Sequence, residues 1–129
     1  MKVLVVDDSP DAAEPLVAFL GHEGHEVYVA HGPSEALRIA VAFRPDVALL
    51  DIGLPLVDGW LLGGMLRGLP GLDGLRIIAI TGYGTAEDHE RSREACFERH
   101  LVKPIDFDAL AGFLKRPDQD PPVPTTDSG

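Results

Sequence analysis

The sequence predicts a doubly wound α/β fold in which five parallel strands alternate with five helices. Apolar runs without polar alternation recur along the chain, which is typical of strands buried on both faces of a parallel sheet. Amphipathic segments separate these runs, and this order of elements implies right-handed crossovers. The 129 residues have the length of one compact domain.

Five segments of the chain are predicted as strands. They are residues 3–6, 26–30, 46–50, 75–80 and 100–102. The first, third and fourth segments are strongly apolar, as expected for the middle of a sheet. Because ligands of such sheets bind beyond the carboxyl ends of the strands, the residues that follow each strand are the first candidates for a functional site.

Five further segments are predicted as helices. They are residues 10–20, 33–43, 58–69, 85–95 and 106–114. Ser9 and Pro10 are typical of a helix start, Gly21 is expected to end the first helix, and Asp106 is expected to cap the last one. The third helix is weakened by glycines, each by up to about 1 kcal/mol relative to alanine. These are Gly63, Gly64 and Gly68.

The helical spacing of apolar residues predicts which faces point to the core. In the first helix these residues are Leu16, Val17 and Leu20, and in the second they are Ala36, Leu37, Ala40 and Val41. The fourth helix is polar and highly charged.

The folded domain is expected to span residues 1–115. Residues 116–129 contain four prolines and few bulky apolar residues, so we predict a disordered tail.

Composition excludes several classes of function. The net charge of −10 and the pI near 4.7 would repel a phosphate backbone, so direct nucleic-acid binding is not expected. No segment approaches the roughly 20 apolar residues of a membrane span, and the N-terminus does not resemble a signal peptide, so a cytoplasmic location is expected. The single cysteine, Cys96, is predicted to be a small buried helix residue and not a redox or zinc residue.

Polar and charged residues follow four of the predicted strands. Asp7 and Asp8 follow the first strand, Asp51 the third, Thr81 the fourth and Lys103 the fifth. Each has an ordinary alternative role as a helix cap, a strand end, a turn residue or a solvated lysine. The fold nevertheless places all five around one crevice, where three carboxylates would repel one another unless a divalent cation lay between them. Mg²⁺ is the expected ion.

This group of residues suits phosphoryl transfer. A carboxylate can accept a phosphoryl group as an acyl phosphate. A lysine ammonium can neutralise a phosphoryl oxygen, and a threonine hydroxyl can donate a hydrogen bond to another. Asp51 is the isolated aspartate of the set, whereas the adjacent Asp7 and Asp8 are better suited to bind the metal.

Residues 2–114 resemble the receiver domain of response regulators in two-component systems. Four motifs carry the resemblance: VLVVDDSPD, DVALLDIGLPLVDGW, IIAITGYG and HLVKPID. The resemblance implies a flavodoxin-like (CheY-like) fold with strand order 2-1-3-4-5. It also implies that Asp51 is the phosphoacceptor, that Asp8 binds Mg²⁺ directly and Asp7 through water, and that the main-chain carbonyl of Gly53 is a further ligand. Mn²⁺ is the alternative ion.

The same resemblance assigns the remaining groups. Thr81 would be the switch hydroxyl and Lys103 the partner of a phosphoryl oxygen, and the peptide bond between Lys103 and Pro104 is expected to be cis. The sequence departs from the family at His100, which stands where a switch tyrosine or phenylalanine is common. Two interpretations of His100 remain open. It is either a plain aromatic substitute for that switch residue or a surface ring, or it makes the switch dependent on pH.

The resemblance also implies partners. A sensor histidine kinase or a phosphotransfer protein would supply the phosphoryl group from a phosphohistidine. The surface of the predicted fourth helix, fifth strand and fifth helix would then bind a downstream protein. The only chemistry expected is self-catalysed transfer to Asp51 and its reversal by hydrolysis, in a monomer or weak dimer. The chain is either a stand-alone regulator, which Met1 directly before the first strand favours, or a receiver from a hybrid histidine kinase.

Three rival functions fit the sequence less well. A hydrolase of the haloacid-dehalogenase type needs an aspartate two residues after the nucleophile, where this chain has Gly53. A flavodoxin-like cofactor binder needs a phosphate loop after the first strand, where Asp7 and Asp8 would repel phosphate. A pseudo-receiver would bind partners without phosphorylation, and the complete set of five groups argues against it.

The remaining histidines and the tryptophan are assigned to the surface or to packing. Solvated surface positions are expected for His22, His25, His31 and His89. Trp60 is predicted to be a packing or partner-contact residue.

Overall fold

The computed structural model describes residues 1–52, 58–82, 90–91, 93–95 and 97–115. Five parallel strands form one sheet in the order β2-β1-β3-β4-β5, so the predicted fold class and strand order are confirmed. The strands are β1 (Lys2–Val6), β2 (Glu26–Ala30), β3 (Val47–Asp51), β4 (Arg76–Thr81) and β5 (Arg99–Val102).

Four helices have bounds in the described part of the chain. They are α1 (Pro10–His22), α2 (Pro33–Phe43), α3 (Gly59–Arg67) and the C-terminal helix (Phe107–Leu114). The fourth predicted helix, at residues 85–95, falls mostly outside the described residues, although Glu90, Arg91, Arg93 and Glu94 are helical. None of the described helices is long and apolar enough to cross a membrane.

Side-chain caps fix where three helices begin. The Ser9 hydroxyl accepts a hydrogen bond from the Ala12 N–H, and the Asp106 carboxylate accepts one from the Ala109 N–H. Asp58 caps α3 in the same way. Each of these carboxylates or hydroxyls satisfies an N–H group that has no partner within the helix. Asp58 therefore precedes α3 and does not form its first residue.

The end of α1 differs from the prediction. The helix continues past Gly21 to His22, and the glycine with a left-handed backbone that follows this helix is Gly24, with φ of 91°. A left-handed residue after a helix favours glycine, since a side chain there is strained. Gly24, and not Gly21, therefore provides the turn into β2. The third helix is also shorter than predicted and ends at Arg67.

The sheet has an apolar core on each face. Along β1, Val3 and Val5 pack in the cluster that contains α1 and the C-terminal helix, whereas Leu4 and Val6 pack in the cluster that contains α2 and α3. Alternate residues of a strand point to opposite faces, so one short apolar run serves both cores. Residues 47–51 of β3 are buried throughout, which explains why this strand lacks polar alternation.

The prediction that Val41 points to the core is wrong. Val41 is 56% exposed, because the inward stripe of α2 follows Ala36, Ala40 and Phe43 at helical spacing, and Val41 lies beside that stripe. Phe43 is buried and stacks on Tyr28 with ring centroids 3.8 Å apart. Leu37 of α2 and Val17 of α1 are only partly buried.

Candidate functional site

The carboxyl ends of four strands bring the predicted site residues to one edge of the sheet. Asp51 and Thr81 are the last residues of β3 and β4, one residue later than the predicted strand ends. Asp7 directly follows β1, and Lys103 directly follows β5. Asp7, Asp51 and Thr81 are only 7%, 8% and 5% exposed. The crevice therefore holds polar groups that are largely removed from water.

Three carboxylates converge in this crevice. Asp7, Asp8 and Asp51 each offer one oxygen atom, and the three oxygens lie within 4.8 Å of one another. Lys103 supplies a positive charge, because its Nζ lies 3.3 Å from Oδ2 of Asp51. One ammonium does not balance three carboxylates at this distance, so the group retains a net negative charge.

The pKa of Asp7 reflects this environment. Burial raises the pKa of the carboxyl above its ordinary value, the hydrogen bond from the Ser9 N–H opposes that rise, and the charge of Asp51 adds to it. Lys103 then lowers the pKa and Asp8 raises it, with smaller effects. The net shift is upward, which means that the crowded, partly desolvated crevice disfavours a further negative charge.

The donor set fits a hard divalent cation. Three carboxylate oxygens within reach of one another are the ligands that Mg²⁺ prefers. Burial is the main cause of the raised pKa of Asp7, and a cation between the carboxylates would relieve the repulsion that adds to it. Because the site has only a few protein ligands, coordination positions remain for water and phosphate oxygens. Mg²⁺ usually keeps such positions in proteins. The fourth predicted ligand, the carbonyl of Gly53, lies outside the described residues.

The crevice opens onto a small cavity. The cavity has a volume of about 170 Å³, and its lining includes Asp7, Asp51, Leu16, Lys103 and Pro104. The peptide bond between Lys103 and Pro104 is cis. The Lys103 N–H donates to the Thr81 carbonyl over 2.8 Å, so the segment that carries the lysine is tied to the end of β4.

The loop that carries Asp7 is fixed by three hydrogen bonds. The Asp7 N–H donates to the carbonyl of Ala30 over 3.0 Å, and Oδ1 of Asp7 accepts from the Ser9 N–H over 2.9 Å. The carbonyl of Asp7 lies 3.0 Å from Nδ1 of His31. His31 is exposed, but this contact connects it to the site. The sequence alone did not predict this connection. The one available signal was its position directly after the strand that pairs with β1.

Trp60 is the second residue of α3, and Arg91 packs against it. The guanidinium of Arg91 lies over its ring at 4.1 Å from the centroid and forms an ion pair with Asp58. Partial burial raises the pKa of Asp58, but the hydrogen bonds from Arg91 and from the Trp60 N–H oppose it, and the net effect is a lowered pKa. This cluster joins the N-terminus of α3 to the helical residues around Arg91.

The other predicted residues are distributed around the molecule. His100 lies on β5 in register with Ala79 and is half-buried. His22 is exposed at the end of α1. Nδ1 of His25 lies 3.2 Å from the N-terminal amino group, and burial and that group lower its pKa. The predictions for His89 and Cys96 fall outside the described residues.

Comparison with known proteins gives one consistent result. The family described as "Response regulator receiver domain" matches residues 3–115. The chain is 31% identical over 116 residues to sporulation initiation phosphotransferase F of Bacillus subtilis, covering 89% of this chain and 91% of the relative.

Solved structures show the same similarity. Chemotaxis protein CheY4 of Vibrio cholerae superimposes with a TM-score of 0.83 at 29% identity, covering 89% of this chain and 96% of that one. A response regulator protein of Burkholderia pseudomallei, solved with a phosphorylated aspartic acid and a calcium ion, has a TM-score of 0.80 at 27% identity, over 88% of this chain and 66% of that one. The CheY-like character of the predicted fold is thus confirmed.

Proposed function

The chain belongs to the family of response regulator receiver domains, and we propose that Asp51 is the residue that accepts the phosphoryl group. The observation that carries this proposal is the crevice in which Asp7, Asp8 and Asp51 lie within 4.8 Å of one another beside the Lys103 ammonium. The phosphorylated aspartic acid of the Burkholderia pseudomallei relative supports the same chemistry. Asp51 is the member of the trio at the end of the central buried strand.

The phosphoryl donor would be a phosphohistidine of a sensor histidine kinase or a phosphotransfer protein. A carboxylate oxygen of Asp51 attacks the phosphorus atom in line, and the bond between phosphorus and the donor nitrogen breaks. The nitrogen keeps the electron pair of that bond, and the donor ring leaves as neutral histidine because the other ring nitrogen of the phosphohistidine carries a proton. Lys103, 3.3 Å from Asp51, would bind an oxygen of the transferred group, and the Thr81 hydroxyl would donate to another.

Asp7, Asp8, Asp51 and the Gly53 carbonyl would hold Mg²⁺, or Mn²⁺ in its place. When bound, the ion neutralises charge on the carboxylates and on the phosphoryl oxygens. The chain's own contribution is to keep Asp7 in place through its contacts with Ala30 and Ser9. These contacts preorganise the crevice before a phosphoryl donor arrives.

Phosphorylation replaces the single negative charge of the Asp51 carboxylate by the roughly two negative charges that a phosphoryl group carries at neutral pH. We infer that these charges draw Thr81 and Lys103 towards Asp51 and shift an existing equilibrium of the surface formed by the predicted fourth helix, β5 and the C-terminal helix. His100, on β5, would be the switch residue of that surface, and a downstream protein would bind there. Hydrolysis of the acyl phosphate would restore the starting state without another enzyme.

The proposal is tested by incubating the protein with Mg²⁺ and acetyl phosphate and measuring intact mass. Wild type is expected to gain the mass of one phosphoryl group, and Asp51→Asn is expected to gain none, since its amide is a poor nucleophile. Asp73→Asn is the matched control, because Asp73 is exposed in the loop before β4, away from the strand ends. This control is expected to label like wild type.

Other outcomes would point to the rival functions. Equal labelling of wild type and Asp51→Asn would place the phosphoryl group elsewhere. An unlabelled wild type that releases no phosphate would indicate a pseudo-receiver. Sustained, multiple-turnover release of phosphate from acetyl phosphate, lost in Asp51→Asn, would indicate a hydrolase.

A further inference from the structure

We propose that His31 is a positioning residue for the magnesium ligands of the crevice, through a hydrogen bond from its ring to the main chain of Asp7. The inference rests on the proposed function, because it assigns a role within the same site. His31 lies directly after β2 and outside the predicted ligand set. Its Nδ1 is 3.0 Å from the Asp7 carbonyl oxygen.

The direction of this hydrogen bond is fixed by its chemistry. A carbonyl oxygen only accepts, so Nδ1 of His31 carries the proton and donates it. The imidazole supplies this donor both when it is neutral, with the proton on Nδ1, and when it is positively charged. The contact therefore depends on the presence of a donor at this atom and not on a charge on the ring.

The bond acts on Asp8 through the geometry of the peptide. The carbonyl of Asp7 and the N–H of Asp8 belong to one planar unit, so a hydrogen bond that holds the carbonyl also holds the orientation of the following residue. Asp7 is already held at its N–H by Ala30 and at its side chain by Ser9. His31 adds the restraint at the point where the chain passes to Asp8, which is exposed.

His31 is itself held in place. Its main-chain N–H donates to Oε1 of Glu35 over 2.9 Å, and Glu35 lies in the first turn of α2. A donor on a fixed backbone loses less freedom when it binds its acceptor than a donor on a mobile loop does. A continuous chain of contacts thus runs from the start of α2, through His31, to the main chain between Asp7 and Asp8.

The test compares His31→Phe with His31→Asn. Phenylalanine keeps a planar ring without a donor, whereas the asparagine amide nitrogen is bonded to Cγ as Nδ1 is in histidine and can donate from a similar place. Mg²⁺ affinity is measured by titration calorimetry with magnesium chloride, at the same pH and ionic strength for every variant. Loss of one such bond is expected to weaken Mg²⁺ binding about 3- to 10-fold in His31→Phe, with His31→Asn within about twofold of wild type.

Two further measurements separate positioning from general damage. His22→Phe, on the exposed end of α1, is the matched histidine control and is expected to bind Mg²⁺ like wild type. Thermal unfolding without divalent ions is expected to give similar melting temperatures for both His31 variants, because the ring is exposed. His31→Ala, which removes ring and donor together, is expected to bind Mg²⁺ as weakly as His31→Phe.

The result that would overturn the inference is an unchanged Mg²⁺ affinity in His31→Phe and His31→Ala, or equal losses in His31→Phe and His31→Asn. A wild-type protein that binds no Mg²⁺ would instead contradict the metal site of the proposed function. The two failures are therefore distinguished by the wild-type titration.

Discussion

Asp7 carries a charge that the folded state disfavours. Burial and the neighbouring carboxylates hold its pKa above the ordinary value of 3.8. A carboxyl whose pKa is raised by folding destabilises the folded state when it is ionised, and this penalty disappears as the pH falls through the raised pKa. Without a cation, the crevice is therefore a source of instability at neutral pH.

We predict that Asp7→Asn stabilises the metal-free protein. The amide keeps an oxygen for the Ser9 N–H and removes the charge. The melting temperature at neutral pH should rise by a few °C, as expected for a change of about 1 kcal/mol in a domain of this length. The measurement is thermal unfolding in a chelator over a pH series. The gain should shrink as the pH approaches 3.8, and a gain that is independent of pH would contradict this explanation.

At the scale of the element, α3 contains two adjacent glycines with opposite surroundings. A methyl group on Gly63 would lie 2.5 Å from Cζ and 2.6 Å from Cε1 of Phe97, whereas one on Gly64 would meet nothing within 4 Å. Phe97 is buried, so its ring cannot move away without disturbing the core. Gly63 is thus required by packing, and Gly64 is not.

This contrast predicts opposite effects of the same substitution. Gly63→Ala should lower the free energy of unfolding by about 1–3 kcal/mol through overpacking, and Gly64→Ala should raise it by about 0.5–1 kcal/mol by favouring the helix. Urea denaturation of both variants measures the two changes. Equal effects of the two alanines would show that intrinsic helix propensity, and not packing against Phe97, determines the change in the free energy of unfolding.

The elements differ in how far local sequence determines them. β2 and α2 have the predicted bounds, because apolar periodicity and a proline at the first turn of α2 are local signals. The end of α1 was misplaced because a sequence does not show which glycine, Gly21 or Gly24, has a positive φ. The inward position of Val41 was wrong because the phase of a helix depends on the sheet beneath it.

At the scale of the whole molecule, one arginine joins β4 to the residue before β5 and to the end of the C-terminal helix. Arg76, the first residue of β4, binds both carboxylate oxygens of Glu98 over 2.6 and 2.7 Å. The same guanidinium donates to the carbonyls of Phe113, Leu114 and Lys115 at the end of the C-terminal helix. Its side chain is only 16% exposed, and a positive charge at a helix C-terminus is favourable.

Removing this guanidinium should loosen the end of the domain. Arg76→Met is expected to lower the free energy of unfolding by about 2–4 kcal/mol, because Glu98 and several carbonyls lose a donor. Arg76→Lys should recover little of this loss, since lysine lacks the planar set of donors. Urea denaturation measures both variants, with Arg38→Met on the exposed face of α2 as control. Full recovery by lysine would show that charge alone is sufficient.

The sequence predicted the site more completely than it predicted the contacts that support it. Asp7, Asp51, Thr81 and Lys103 could be grouped because strand ends of a parallel sheet meet at one edge, which is a property of the fold. The contact of His31 with Asp7 joins residues 24 apart in sequence and has no local pattern. Such contacts depend on which strands are neighbours and on the direction of single side chains.

Met1 and Lys115 lie at the same end of the sheet. Met1 precedes β1, and Lys115 contacts the first residue of β4, whereas Asp51 and Thr81 end their strands at the opposite edge. A strand of six residues spans roughly 17 Å, so Met1 and Lys115 lie well away from the acidic crevice. A partner that approaches the crevice would therefore reach it from the edge of the sheet opposite these two residues.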